Sequence, residues 1–105
     1  MTVVSFTPRF TPDDLAEFDA IAWRRITNGI WSHVSRHTCP DSDQILVFFP
    51  RLDRPAFRFE RDSTGTYRLW FYGGGGPQIV ATGTTATECL SIWGNSSLIS
   101  KRTPA

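Results

Sequence analysis

Residues 57–72 have the sequence FRFERDSTGTYRLWFY, and this stretch decides the fold. Apolar and polar side chains alternate on both sides of a short polar segment, DSTG at residues 62–65. Alternation with a period of two is typical of a β-strand with one buried face. The DSTG segment predicts a type I turn that Gly65 closes in the left-handed conformation. The stretch is therefore predicted to form an antiparallel hairpin.

The turn fixes the register of the two strands, because Asp62 then lies opposite Thr66. Four large apolar side chains reach one face as two opposed pairs, Phe57 with Phe71 and Phe59 with Leu69. The other face receives an opposite-charge pair and a cation–π pair, Glu60 with Arg68 and Arg58 with Trp70. A slip by one residue would mix apolar with charged side chains, so the pattern favours this register.

The same register yields a candidate binding surface. Arg58, Arg68, Trp70 and Tyr72 would share the sheet face that points away from the phenylalanines. Tryptophan and tyrosine beside arginine are typical of an interface centre, although such cross-strand pairs also stabilise sheet faces that bind nothing. We predict a non-catalytic protein–protein interaction module, such as an adaptor, a regulator or an inhibitor. Its expected partner is another protein or a second copy of the chain.

A long helix is predicted over residues 12–27. Thr11 is a suitable N-cap, Pro12 suits the first helical position, and Asp14 completes a capping box. Apolar side chains then recur at helical spacing: Leu15, Phe18, Ala22 and Ile26. The Asn-Gly pair at residues 28–29 predicts the end of the helix.

A second, short helix is predicted near the end of the chain. Thr85 and Glu88 form a capping box, and Gly94 is the predicted stop. The apolar face comprises Ala86, Cys89, Leu90 and Trp93. Residues 95–105 are predicted to be a flexible tail.

Further strands are predicted at residues 45–49, 79–82 and 3–6. The first is an unbroken apolar run, which indicates a central strand with both faces at least partly covered. Residues 30–43 are compatible with a loop or with a short helix in which Trp31 and Val34 share a face. The predicted fold is one α+β domain over residues 1–105, a two-layer sandwich. In it, a three- or four-stranded antiparallel meander packs against the long N-terminal helix and the short C-terminal helix.

The composition supports a single core. Hydrophobic residues make up 40% of the 105 residues, and eight Phe and four Trp predict a core rich in rings. The net charge of +1 does not by itself indicate a nucleic-acid or membrane partner. Ten of the eleven basic residues are Arg, a bias typical of GC-rich bacterial or phage genomes.

Cysteine usage and hydropathy predict a cytoplasmic location. The two cysteines, Cys39 and Cys89, do not form a disulfide framework and are expected to be free thiols. The first six residues lack the basic and apolar regions of a signal peptide, and no run approaches the roughly 18 apolar residues of a membrane span.

Four consecutive glycines, Gly73, Gly74, Gly75 and Gly76, support a second interpretation of function. Glycine permits close approach of the backbone to a ligand, so a small-molecule-binding protein or small enzyme with a pocket near this loop is the alternative. The Lys and Ser or Thr of a phosphate-binding loop do not follow. A flexible connection between two strands is the favoured explanation of the glycines.

A third interpretation is a nucleic-acid-binding sheet face. It predicts that Arg51, Arg54, Arg58 and Arg68 lie on one continuous face beside aromatic rings. Five arginines fall within residues 51–68, but three acidic residues in the same segment leave a local excess of only two positive charges. Nucleic acid is therefore ranked third.

Metal and catalytic motifs are weakly represented. His33 and His37 would share one face if residues 31–37 were helical, and Cys39 follows closely, so these three are the candidate ligands. No Glu adjoins His33 and no C-x-x-C occurs, so no metal and no cofactor is predicted. The chain also lacks a G-x-S-x-G elbow, and no catalytic residue is predicted.

Overall fold

The computed structural model describes residues 8–99, with side chains for residues 8–93. Two helices pack on a five-stranded sheet. The elements are α1 (Pro12–Thr27), β1 (His33–Cys39), β2 (Ser42–Phe48), β3 (Phe57–Asp62), β4 (Tyr67–Gly73), β5 (Gly76–Gly83) and α2 (Ala86–Ile99). The strands lie side by side in chain order and each is antiparallel to the next. The predicted α+β meander is confirmed, with five strands instead of three or four.

The hairpin of β3 and β4 has the predicted register. Phe59 lies opposite Leu69 and Arg58 lies opposite Trp70, and the other two predicted pairs are also present. Because successive side chains of a strand point to opposite faces, the phenylalanines and Trp70 are separated onto different sides of the sheet.

The turn between these strands is closed by hydrogen bonds to Asp62. Its backbone N–H donates to the carbonyl oxygen of Thr66 at 3.0 Å, and its carbonyl oxygen accepts from the N–H of Gly65 at 3.0 Å. Gly65 has a φ of 84°, the left-handed conformation that glycine adopts without strain. The Asp62 carboxylate also accepts from the N–H groups of Thr64 and Thr66, at 2.9 and 3.1 Å. Backbone and side chain therefore specify the same turn.

Residues 33–39 form the edge strand β1, so neither the short helix nor the loop considered for residues 30–43 is what this strand segment forms. The segment has one large apolar side chain, Val34, which cannot form the apolar stripe that a packed helix needs. A two-residue turn at residues 40–41 brings Cys39 opposite Ser42, and β1 then pairs with β2 along its whole length. Pairing with β2 satisfies the backbone N–H and C=O groups on one side of β1, and β-branched Val34 fits a pleated sheet.

The apolar run of β2 contributes side chains to both faces of the sheet. Ile45 and Val47 are buried, whereas Leu46 and Phe48 on the other side are half-buried. The strand is second in the sheet, between β1 and β3, and is not at its centre.

Both helices pack on the same face of the sheet. Phe18 of α1 stacks on Phe59 with 5.6 Å between ring centroids, and Trp93 of α2 meets Phe57 edge-on at 5.0 Å. Phe18 and Phe59 are fully buried. The predicted packing of the long helix against the phenylalanine-rich face is confirmed, and within residues 8–99 the opposite face carries no helix.

Helix α1 has the predicted bounds and the predicted capping box. The hydroxyl of Thr11 accepts from the N–H of Asp14 at 3.1 Å, and the carboxylate of Asp14 accepts from the N–H of Thr11 at 2.9 Å. Ile26, which the sequence pattern assigned to the buried stripe, lies on the exposed side.

Helix α2 continues through Gly94 to Ile99, so the predicted stop at Gly94 was wrong. A single glycine in a helix costs only about 1 kcal/mol and does not by itself end it. Glu88 accepts hydrogen bonds from Thr84 and completes no reciprocal box with Thr85, although the Thr85 hydroxyl accepts from the Glu88 N–H at 3.0 Å. The predicted strand over residues 3–6 and most of the predicted tail lie outside the described residues.

The buried carboxylate of Asp43 ties the segment before α1 to the sheet. It accepts hydrogen bonds from two of the three Arg36 nitrogens, Nη2 at 2.6 Å and Nε at 3.1 Å, and from the N–H of Phe10 at 2.8 Å. Burial alone would raise the pKa of Asp43. The hydrogen bonds from Arg36 and Phe10 outweigh burial, so the pKa lies below its ordinary value.

Replacing Phe59 should show where the core lies. The Phe59→Ala variant removes a fully buried ring and should lower the free energy of unfolding by about 3–5 kcal/mol. Phe48→Ala, a matched change on the half-buried side of β2, should cost no more than about half as much. Urea denaturation measures both, and equal losses would contradict the two-sided arrangement of the sheet.

The Asp43 anchor predicts a defined pH dependence. Its folded pKa lies below the unfolded value of about 3.9, so its contribution to stability is present at neutral pH and is lost as the pH falls through the folded pKa. Asp43→Asn should lower the free energy of unfolding at neutral pH by about 1–3 kcal/mol and flatten its decline in acid. Denaturation across pH tests this, with exposed Asp53→Asn as the unchanged control. An Asp43→Asn variant that keeps the wild-type acid profile would refute the anchor.

Candidate interaction surface

The sheet face opposite the helices is the candidate site, and we call it the open face. Strand register places Leu46, Arg58, Trp70 and Ile79 in one row across β2 to β5. This row is flanked by Phe48, by Tyr72 and by the side chains at alternate positions of β1 that point to the same face. The apolar members of the row are half-buried or exposed, with Ile79 at 47% exposure. The predicted residues Arg58, Arg68, Trp70 and Tyr72 do come together on this face.

Arg58 lies over two aromatic rings. Its guanidinium carbon is 4.8 Å from the ring centroid of Trp70 and 5.8 Å from that of Tyr72. Its Nε lies 3.2 Å from a carboxylate oxygen of Glu60, an ion pair without hydrogen-bond alignment. The cation is held by rings and a counter-charge together, which limits the rotamers it can adopt.

The remaining charges of the open face are also paired. Glu60 lies between Arg58 and Arg68, with 3.7 Å to the Arg68 guanidinium, and Arg68 donates a short hydrogen bond to Asp62. The hydrogen bond to Asp62 raises the pKa of Arg68. Burial opposes ionisation of Asp62, but hydrogen bonds from Thr64, Arg68 and the turn backbone hold the pKa of Asp62 well below its usual range. Two cations and two carboxylates therefore leave this part of the face electrically balanced.

Trp70 is the central ring of the open face. It is half-buried, and its indole N–H is enclosed without a hydrogen-bond partner among the described residues. A buried N–H left unpaired costs about 1–3 kcal/mol. The indole N–H of Trp70 therefore does not contribute to the stability of the isolated chain, whereas its ring does through Arg58.

The four glycines form the tip of the β4–β5 hairpin. Gly73 lies opposite Gly76, and Gly74 and Gly75 make an exposed two-residue turn. A Cβ on Gly74, Gly75 or Gly76 would meet no atom within 4 Å. The connection is a tight turn that projects from the sheet.

A groove of about 250 Å³ lies elsewhere, between α1 and the first two strands. It is lined by Leu15, Phe18, Asp19, Val34, Arg36 and Ile45. None of the four glycines contributes to it, so the structure does not bring the predicted glycine loop and this groove together.

The candidate metal ligands lie on alternate positions of β1, because the helix that would have grouped them is absent. His33 and His37 are four residues apart on an extended strand, a distance of roughly 13 Å, so they cannot share one ion. His33 stacks on Phe48 at 4.5 Å, and His37 lies 3.0 Å from the Ser35 hydroxyl. Within the described part of the chain, no group of three or more His, Cys, Asp or Glu is arranged to hold a metal.

The two cysteines are free thiols in different settings. Cys39 is half-buried at the end of β1, whereas Cys89 is fully buried on the inner side of α2. Burial raises the pKa of the Cys89 thiol to about 12, and the nearby Glu88 carboxylate adds to the rise. Cys89 is accordingly a core residue, as its position on the apolar helix face predicted.

The arginines of residues 51–68 separate in the structure. Arg51 and Arg54 are exposed in the loop between β2 and β3, while Arg58 and Arg68 are paired with carboxylates on the open face. Arg61 points to the helical side, where it donates to the carbonyl oxygen of Arg9. The cations of the open face are neutralised by neighbouring carboxylates.

Sequence reasoning missed an exposed tryptophan on α1. Trp23 is 71% exposed, and Ile26 and Ile30 are exposed near it in the chain. Trp23 directly follows the buried Ala22, so its side chain is rotated by about 100° around the helix axis from that of Ala22. A helical-wheel projection of the sequence could therefore have predicted that Trp23 is exposed.

Comparisons of the chain with protein-family models, curated proteins and solved structures found no match. Neither α1 nor any other helix within residues 8–99 is long and apolar enough to cross a membrane. The open face is therefore the feature from which a function is inferred.

Removing Glu60 should destabilise the open face. Glu60→Ala leaves Arg58 and Arg68 without their shared counter-charge, and we expect the free energy of unfolding to fall by about 1–3 kcal/mol. Chemical denaturation measures the loss, with the exposed Glu17→Ala on α1 as the control. If both variants were as stable as the wild type, the charge network would not contribute to the fold.

Proposed function

We propose that this chain is a non-catalytic protein-interaction module that binds a partner protein through the open face. One observation carries the proposal: both helices lie on one side of the sheet, and the other side presents a row of apolar and aromatic residues around Trp70. An adaptor, a regulator or an inhibitor would use such a face in the same way.

The side-chain types of the open face support binding to protein. Trp, Tyr and Arg dominate the energetic centres of protein interfaces. Here Arg58 is already fixed over Trp70 and Tyr72, so less side-chain entropy is lost when a partner binds. Because these side chains are already ordered before binding, they favour a contact with one specific geometry.

The charge balance favours protein over nucleic acid as the partner. Binding to a phosphate backbone depends on cations that displace counterions. Arg58 and Arg68 are instead paired with Glu60 and Asp62. Two of the rings interleaved with these arginines, Phe57 and Phe59, face the helices and cannot stack with bases, which also disfavours a single-strand platform.

The small-molecule alternative has less support. It needs a concave pocket with convergent polar groups near the four glycines, and those glycines form an exposed hairpin tip. The groove beside α1 is mainly apolar, and the Arg36 that lines it is already bound to Asp43.

Two tryptophans on opposite sides of the molecule allow a matched test. Affinity capture with the immobilised chain from an extract of its native host would name a candidate partner, which is then purified and titrated. We expect Trp70→Ala to weaken binding by at least about 30-fold, the effect of losing a central interface residue. Trp23→Ala, the same change on the helical side, should bind like the wild type.

The variants must be folded, which circular dichroism and thermal denaturation establish. Wild-type affinity in the Trp70→Ala variant would disprove binding through the open face. A loss confined to Trp23→Ala would place the contact on α1.

A further inference from the structure

The Asn-Gly pair at the end of α1 is a reactive sequence that neither face of the sheet involves. Asparagine is thermolabile. Its side-chain carboxamide is attacked most readily by the next backbone nitrogen when glycine follows, because glycine has no Cβ in the way. Asn28 and Gly29 are both exposed, and no side-chain hydrogen bond of Asn28 lies within the described part of the chain. The carboxamide of Asn28 is therefore open to this reaction.

The same two residues cap the helix. Gly29 has a φ of 78°, and its N–H donates to the carbonyl oxygen of Ile26 at 3.0 Å. The N–H of Ile30 donates to the carbonyl oxygen of Arg25 at 2.9 Å, which completes a Schellman motif. The N–H of Trp31 donates to the same oxygen at 3.1 Å, and its ring is buried. The cap therefore leads directly into the core.

We propose that Asn28 is a deamidation site whose reaction the cap controls. The backbone N–H of Gly29 gives its proton to hydroxide, and the nitrogen attacks Cγ of Asn28. The C–N bond of the carboxamide then breaks, and its nitrogen takes a proton from water and leaves as ammonia, which restores the hydroxide. Water opens the resulting succinimide ring at one of its two carbonyl groups, so the product is aspartate or isoaspartate. This chemistry does not depend on binding through the open face.

Two features of the folded cap hold the reaction back. The attacking N–H of Gly29 is bonded to Ile26, so this hydrogen bond must first break. Ring closure also requires Cβ of Asn28 to eclipse the nitrogen of Gly29 about the Cα–C bond, and a ψ of 1° at Asn28 keeps these two atoms apart. Helix ends open locally at a low free-energy cost. The reaction therefore proceeds from the open cap, and its rate in the folded chain measures how often the cap opens.

The product weakens the cap in which it forms. A carboxylate at position 28 lies at the negative end of the helix dipole, which is unfavourable. Isoaspartate also lengthens the backbone by one methylene group, which displaces the N–H groups of Gly29 and Ile30 from their acceptors. The reaction does not reverse, so it loosens the junction between α1 and Trp31 as the molecule ages.

Mass spectrometry of the purified full chain, held at mildly alkaline pH in buffer and in urea, tests the proposal. Peptide mapping should find aspartate and isoaspartate at position 28. The reaction in buffer should be at least about tenfold slower than in urea, because opening the cap costs free energy. Asn28→Gln should form neither product at this position. Asn28→Asp, which is one of the products, should unfold with an equilibrium constant about two- to fivefold larger than that of the wild type.

Arg25 offers a variant that loosens the cap without changing the reacting atoms. Its guanidinium carbon lies 5.8 Å from the ring centroid of Trp31 and 5.8 Å from that of Trp93. Arg25→Ala removes both contacts, so it should speed the reaction in buffer by about two- to fivefold and leave the rate in urea unchanged. Glu17→Ala, an exposed change earlier in α1, should react like the wild type in both conditions.

Three results would overturn the inference. An intact Asn28 after incubation in urea would exclude the site, and equal wild-type rates in buffer and urea would exclude control by the cap. Wild-type stability of Asn28→Asp would show that the product does not weaken the cap. Circular dichroism checks that each variant is folded in buffer, and the comparison of buffer with urea decides the outcome even if Arg25→Ala does not fold.

Discussion

The reversal of the chain at Asp62 sets the register of β3 and β4, and the sorting of side chains onto the two faces of the sheet follows from that register. The carboxylate of Asp62 accepts the N–H groups of Thr64 and Thr66, and its backbone closes the turn with Gly65 and Thr66. A turn of fixed length fixes the register, and a register shift by one residue would exchange the two faces of each strand. The separation of Phe59 from Trp70 follows from this turn.

The parts of the fold that local chemistry specifies could be predicted from sequence. The turn residues, the Thr11–Asp14 capping box and helical spacing each act over a few neighbours, and the hairpin and α1 formed as expected. Strand β1 could not be predicted in this way. With Val34 as its one large apolar residue, it is a strand because β2 lies beside it, and that pairing is set by the whole sheet.

The candidate site, too, could be predicted from the sequence only in part. Sequence pattern placed Arg58, Arg68, Trp70 and Tyr72 on one face, because register alone decides which side chains share a face. It did not reveal that Glu60 would balance both arginines from a nearly buried position. Strand order in the sheet determines which strands are edges, so the edge positions of β1 and β5 among the described strands became evident only in the structure.

Within residues 8–99, one face of the sheet lies under the helices and the other does not. Nuclear Overhauser contacts from the methyl groups of Leu69 test it most directly, because this residue lies next to Trp70 in the chain and on the opposite face. We expect contacts from Leu69 to the rings of Phe59 and other core residues, and contacts from Trp70 to Ile79. Contacts from Leu69 to the ring of Tyr72, which lies beside Arg58 on the open face, with none to Phe59, would contradict this arrangement.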